Sequence, residues 1–172
     1  HPDRFSGLAQ LNLQDPEGAA AELERAVTRL GLKGGVWSGR CGGHFLDHPR
    51  FDPVWAAAQR LGVPIYLHPG APGPELVQAL YGDLPAGLSG TLACAGWGWH
   101  MECGYHALHL VLAGLFDRFP KVQCIIGHMG EGIPFALAAS STGIAAANAL
   151  EVTVEVYPTP EEALAAAVSG EV

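Results

Sequence analysis

The sequence predicts an α/β protein built on a parallel sheet, and three observations carry that prediction. Short apolar runs alternate along the chain with amphipathic helical patterns, the order that produces βα units. Three of the helical patterns share one punctuation: they open on Asp15-Pro16, Asp52-Pro53 and Thr159-Pro160 and close at Gly31, Gly62 and Gly170. An Asp or Thr accepts from the first free helix N–H groups, Pro loses no needed donor at the first helical position, and Gly takes the left-handed terminal conformation at little cost. Finally, 49% of the 172 residues are hydrophobic and only 15% are charged, which supplies a core and excludes a disordered chain.

The elements follow in order. Phe5–Leu13 reads as a strand. In the helix that follows, Ala19, Leu23, Ala26, Val27 and Leu30 form one apolar stripe. Leu32–Trp37 is the next strand, followed by a helix whose stripe is Val54, Trp55, Ala58 and Leu61, and then by the strand Val63–Leu67. Residues 70–98 are rich in Gly, Pro and small side chains without clear periodicity, and read as a long functional loop. A helix over His100–Phe119 is expected to place Tyr105, Leu108, Leu112 and Leu115 on one face. The strand Val122–Ile126, a helix over Ile133–Ala139, the strand Val152–Tyr157 and a last helix with a Thr159/Glu162 capping box complete the pattern. No domain linker interrupts it. Right-handed crossovers then leave two architectures, a flavodoxin-like open sheet or part of a (β/α)8 barrel. A complete barrel takes about 250 residues, so the five strands visible here make a barrel reading a partial one.

Composition narrows the partners. A net charge of −8 argues against nucleic acid and anionic membrane. No apolar stretch reaches the roughly 18–20 residues of a membrane helix. The polar opening His1-Pro2-Asp3-Arg4 carries no signal-peptide core and no Met, and reads as a fragment or processed product. Cys41, Cys94, Cys103 and Cys124 show no CxxC spacing and read as reduced thiols of a cytoplasmic protein.

Ligands of parallel α/β folds sit at the carboxyl ends of strands. Past Val63–Leu67 comes His68-Pro69-Gly70; past Val122–Ile126 comes Gly127-His128-Met129-Gly130-Glu131; past Leu32–Trp37 comes Ser38-Gly39-Arg40. Two consecutive strands thus deliver a His to one rim. Imidazole titrates near neutrality and ligates metals, and the Glu131 carboxylate lies close enough in sequence to accept from the His128 ring and fix its tautomer. Trp37, Trp97 and Trp99 are candidates to wall an aromatic pocket.

The stretch GWGWHMECGYHALHLVLAGLFDRFPKVQCIIGHMGEGIPF (96–135) closely resembles the amidohydrolase-related, metal-dependent decarboxylases, which act on γ-resorcylate, 2,3-dihydroxybenzoate and 5-carboxyvanillate, with aminocarboxymuconate-semialdehyde decarboxylase more distant. Residues 5–37 and 51–72 resemble the preceding barrel units, so that 1–139 is family-like and 140–172 a divergent tail of a single domain. The resemblance implies a partial TIM (β/α)8 barrel of about four to five βα units of the metal-dependent hydrolase type. It implies one divalent ion, zinc or manganese, with His68 of the YLHP element as ligand, and His128 of the GHMGE element as a catalytic His paired with Glu131. It gives His106 an orienting or substrate-binding place. It also implies a Glu-x-His or Glu-x-Ala element on a first strand and an Asp on a last strand, which this chain does not carry, and His109 and Cys103 stand where the family usually has Arg and Thr.

The expected activity is non-oxidative decarboxylation of a small hydroxybenzoate-like carboxylate by a larger barrel. Metal-dependent hydrolysis on the same scaffold is the alternative, since strand-end residues do not separate the two chemistries. A truncated, non-catalytic remnant is the third reading. A half-barrel exposes sheet edges, and self-association into a homo-oligomer is expected.

Overall fold

The computed structural model describes residues 1, 4–130 and 165. The expected helix over Ile133–Ala139, the strand Val152–Tyr157 and the capping box at Thr159 lie outside the described residues, as does Glu131.

Four strands, β1 (Ala9–Gln10), β2 (Gly35–Ser38), β3 (Ile65–His68) and β4 (Cys124–Ile126), form one parallel sheet in the order β1-β2-β3-β4. This order decides between the two architectures. A doubly wound sheet starts inside and reverses direction, giving orders such as 2-1-3-4-5, whereas barrel strands join in sequence order. The described residues are therefore βα units of a TIM-type barrel.

Helix α1 (Pro16–Leu30) connects β1 to β2 with the expected ends: Asp15 Oδ1 accepts from the Gly18 N–H at 3.1 Å, and Gly31 takes φ 72°. Ala19, Leu23 and Ala26 of its stripe are buried, but Leu30 is 56% exposed, because the stripe runs off the sheet in the last turn. Helix α2 (Asp52–Leu61) closes at Gly62 as expected, yet Asp52 is not its cap. A single 3₁₀ turn over Pro49–Phe51 leads straight into the helix, with His48 Nδ1 accepting from the Arg50 N–H at 3.2 Å. Asp52 sits in the first turn and faces Arg118.

On β2 and β3 the helix-facing residues are Gly35, Trp37, Ile65 and Leu67, all buried, while Val36, Ser38, Tyr66 and His68 face the other way. Trp37 therefore does not wall a pocket. It is fully buried between β2 and α2, 5.9 Å from the Phe51 ring and 5.2 Å from Trp55. Trp97 is 52% exposed.

The segment expected as a loop is mostly helical: α3 (Pro74–Tyr81), α4 (Ala86–Thr91) and a π turn over Leu92–Gly96. Small side chains hide helical periodicity there, and none of these turns starts on a side-chain cap. The expected single helix 100–119 is two, α5 (Gly98–Leu112) and α6 (Leu115–Arg118), broken where Gly114 adopts φ 70°. Helix α5 buries Cys103, His106, Ala107 and Leu110; of the expected face, Leu115 is buried in α6 and Leu108 packs against the core, but Tyr105 and Leu112 are exposed. A last single turn, α7 (Gly127–Gly130), follows β4 directly.

Candidate active site at the strand ends

The carboxyl ends of β2, β3 and β4 meet closely. Ser38 registers with His68, and Leu67 with Ile126. Just beyond, Gly39 (φ 64°) and Gly70 pass so near that a Cβ on Gly70 would collide with the Gly39 backbone. Only residues without side chains let the two strand ends converge there.

His68 ends β3 on the face turned away from the helices. Its Nδ1 lies 2.9 Å from the Pro69 carbonyl oxygen. A carbonyl only accepts, so Nδ1 carries a proton, and it is Nε2 that offers a lone pair whenever the ring is neutral. His128 stands two residues past the end of β4, with its ring centroid 6.1 Å from that of His68 at an interplanar angle of 72°. Its φ of 49° is the only positive φ of a non-glycine among the described residues, a strained conformation of the kind that clusters at functional sites. The structure thus brings together the two histidines expected at one rim.

A third histidine joins them. His100, in the first turn of α5, has its ring 5.2 Å from that of His128 at 77°. The sequence reading missed it. It lies beyond the 70–98 stretch, so no strand-end rule points to it, and its place follows only from how α3, α4 and the π turn return the chain to the rim. Among the described residues, no group of three or more His, Cys, Asp or Glu side chains closes into a metal cage.

His106 is set apart. It is 1% exposed, its Nε2 accepts from the Leu46 N–H at 3.0 Å, and its ring meets Phe45 edge-on at 5.0 Å. Burial pushes its pKa down to about 4, against the pull of Asp47 and with help from His109 and Arg40. The ring is therefore neutral at pH 7, a tie between α5 and the segment after β2 rather than a group open to a substrate. Two more residues of α5 reach the same segment. Glu102, buried, pairs with Arg40 at 2.6 Å, and His109 Nδ1 meets Asp47 at 2.8 Å. Next to Arg40, Gln10, Asn12, Gln14 and Ser38 line a polar cavity of about 220 Å³ at the carboxyl ends of β1 and β2.

A sequential parallel βα sheet with histidines on its carboxyl rim defines the class of TIM-barrel enzymes with strand-end sites. The chain belongs to the amidohydrolase family, whose profile matches residues 1–166, well past residue 139 where the resemblance is expected to fade. It is 42% identical over 140 residues to decarboxylase orsB of Emericella nidulans and 43% identical over 145 residues to the γ-resorcylate decarboxylase of Rhodococcus jostii. These alignments cover 81% and 79% of this chain but 42% of each relative, so the chain spans less than half the length of the curated relatives it matches. The crystal structure of a dihydroxybenzoic acid decarboxylase from Polaromonas sp., with bound manganese and the inhibitor 2-nitroresorcinol, superposes with a TM-score of 0.73 at 37% identity, covering 92% of this chain and 47% of that one. The described cysteines Cys41, Cys94, Cys103 and Cys124 are free thiols, and no described helix is long and apolar enough to cross a membrane.

Proposed function

We propose that this chain carries the histidine side of a metal-dependent decarboxylase site for small aromatic carboxylates with a neighbouring phenolic oxygen. The observation that carries the reading is the His68 ring, whose Nδ1–H is taken by the Pro69 carbonyl while His128 stands 6.1 Å away. A ligand His commonly gives its other N–H to such an acceptor, which fixes the tautomer and raises basicity. His68 therefore fits a metal ligand. Two imidazoles sharing one tetrahedral ion at about 2.1 Å hold their centroids roughly 5 Å apart. The wider, edge-on His68–His128 pair suits one ligand with a second imidazole beside the ion.

Held at His68, a divalent ion, zinc or manganese, would supply positive charge for the substrate's carboxylate and phenolic oxygens. Proton delivery to the ring carbon that bears the carboxylate interrupts aromaticity. Cleavage of the carbon–carbon bond then returns the electron pair to the ring as carbon dioxide leaves. His128 handles a proton or binds the developing negative charge, with Glu131 orienting its imidazole. His106 acts at a distance, by holding the segment that begins at Gly39 against α5. Decarboxylation is favoured over hydrolysis because the matched relatives are named as decarboxylases.

The test is a pair of variants in the full-length protein, loaded with manganese and assayed on 2,6-dihydroxybenzoate. His68→Ala is expected to lose most of its bound metal by elemental analysis. His128→Ala is expected to keep its metal and lose at least 100-fold in turnover, roughly the scale of a general acid–base contribution. Full metal in the first variant, or parental turnover in the second, refutes the assignment.

A further inference from the structure

We infer that His100 is a positioning residue of this site, which braces the His128 imidazole in its working orientation. The inference rests on the reading of His128 as the proton-handling group. His128 meets two imidazoles edge-to-face, His68 at 72° and His100 at 77°, and the His100 contact is the shorter, 5.2 Å against 6.1 Å between centroids. The three rings come from three different elements, the end of β3, the turn after β4 and the first turn of α5. His128 holds φ 49°, a backbone conformation that persists only where the surrounding packing fixes it.

The first turns of α5 are also fixed to the rim. Cys103 Sγ donates to the Leu67 carbonyl at 3.5 Å, one residue before His68. Glu102 pairs with Arg40, two residues past β2. At the start of the helix, buried Gly98 packs so tightly on the Ala93 backbone that any Cβ would collide with it. With α5 held at Gly98, Glu102 and Cys103, His100 has little freedom to leave His128. Edge-to-face ring pairs are a favourable geometry, and a misplaced reacting group loses rate steeply with distance.

The experiment compares His100→Ala and His100→Phe with the parent. The isotope-labelled chain is examined by histidine side-chain nitrogen spectra, and the manganese-loaded full-length protein by turnover of 2,6-dihydroxybenzoate. In the parent, His128 should give one tautomer signal set. In His100→Ala that set should broaden or average, and kcat should fall about ten-fold with KM within about two-fold. His100→Phe, which keeps the ring edge, should restore both. An unchanged His128 spectrum in His100→Ala overturns the inference. So does a fall in kcat matched by losses of metal and thermal midpoint, which would make His100 merely structural. Parental turnover in His128→Ala sinks the functional reading instead, and the spectra still report on the brace.

Discussion

Acidification should weaken this fold through His106 in a way that can be isolated. The ring is 1% exposed, and burial holds its pKa near 4 instead of 6.5. Above pH 6.5 the ring is neutral in both folded and unfolded chains and contributes no pH dependence. As pH falls below 6.5 the unfolded chain takes up the proton first, so unfolding is favoured, and the loss is complete only below the folded value of about 4. At about 1.4 kcal/mol per pH unit, this group removes about 2 kcal/mol by pH 5 and about 3 kcal/mol by pH 4. The comparison is His106→Gln, whose side-chain oxygen can still accept from the Leu46 N–H without titrating. Urea unfolding of both proteins between pH 7 and pH 4 should show the parent's stability falling more steeply. The gap between the two curves should change by about 3 kcal/mol, a large fraction of a typical domain's total. Parallel curves would show that His106 is already protonated, or solvated, in the folded state, and the account of α5 as clamped by a neutral ring would fail.

Two further outcomes test the packing that positions the rim. Gly70→Ala should destabilise by about 1–3 kcal/mol, the usual cost of forcing atoms into filled space, because its Cβ meets the Gly39 backbone; a change below about 0.5 kcal/mol in chemical denaturation would mean that the strand ends separate freely. Leu23→Ala should cost about 2–5 kcal/mol, whereas Leu30→Ala on the same predicted stripe should stay within about 0.5 kcal/mol, since the two side chains are 0% and 56% exposed. Equal thermal-unfolding losses would refute that division of the stripe.

The contrast between α1 and α5 explains which parts of this fold could be read in advance. On α1 the stripe is buried at Ala19, Leu23 and Ala26 and fails only at Leu30 in the last turn, so periodicity and phase agree over most of the helix, and Asp15 and Gly31 mark the ends. On α5 apolar residues occur all around the helix, and the polar Glu102, His106 and His109 turn toward the segment after β2. Periodicity then carries no phase: the rule that puts polar groups outside selects Tyr105 and Leu112 for burial, and both are exposed. A buried polar group is tolerable only with a partner, and partners more than 60 residues away, such as Asp47 for His109, leave no trace in local pattern.

The same reasoning accounts for the site. His68 and His128 follow apolar runs that end abruptly, and adjacent parallel strands must end on one side, so their meeting follows from topology alone. His100 needs more information. Its distance to His128 is fixed by a helix whose start depends on a π turn, on Gly98 fitting against Ala93, and on Cys103 reaching the Leu67 carbonyl. The first two are local fits of small residues and the third is a contact across 36 residues, and none of them has a distinctive spacing. The histidine that strand topology does not deliver is thus the one whose placement depends on a π turn and on close packing that local periodicity does not announce. A substitution that loosens α5 at Gly98 or Cys103 should therefore disturb the His100–His128 contact before it disturbs the His68–His128 pair, which is held by strand register.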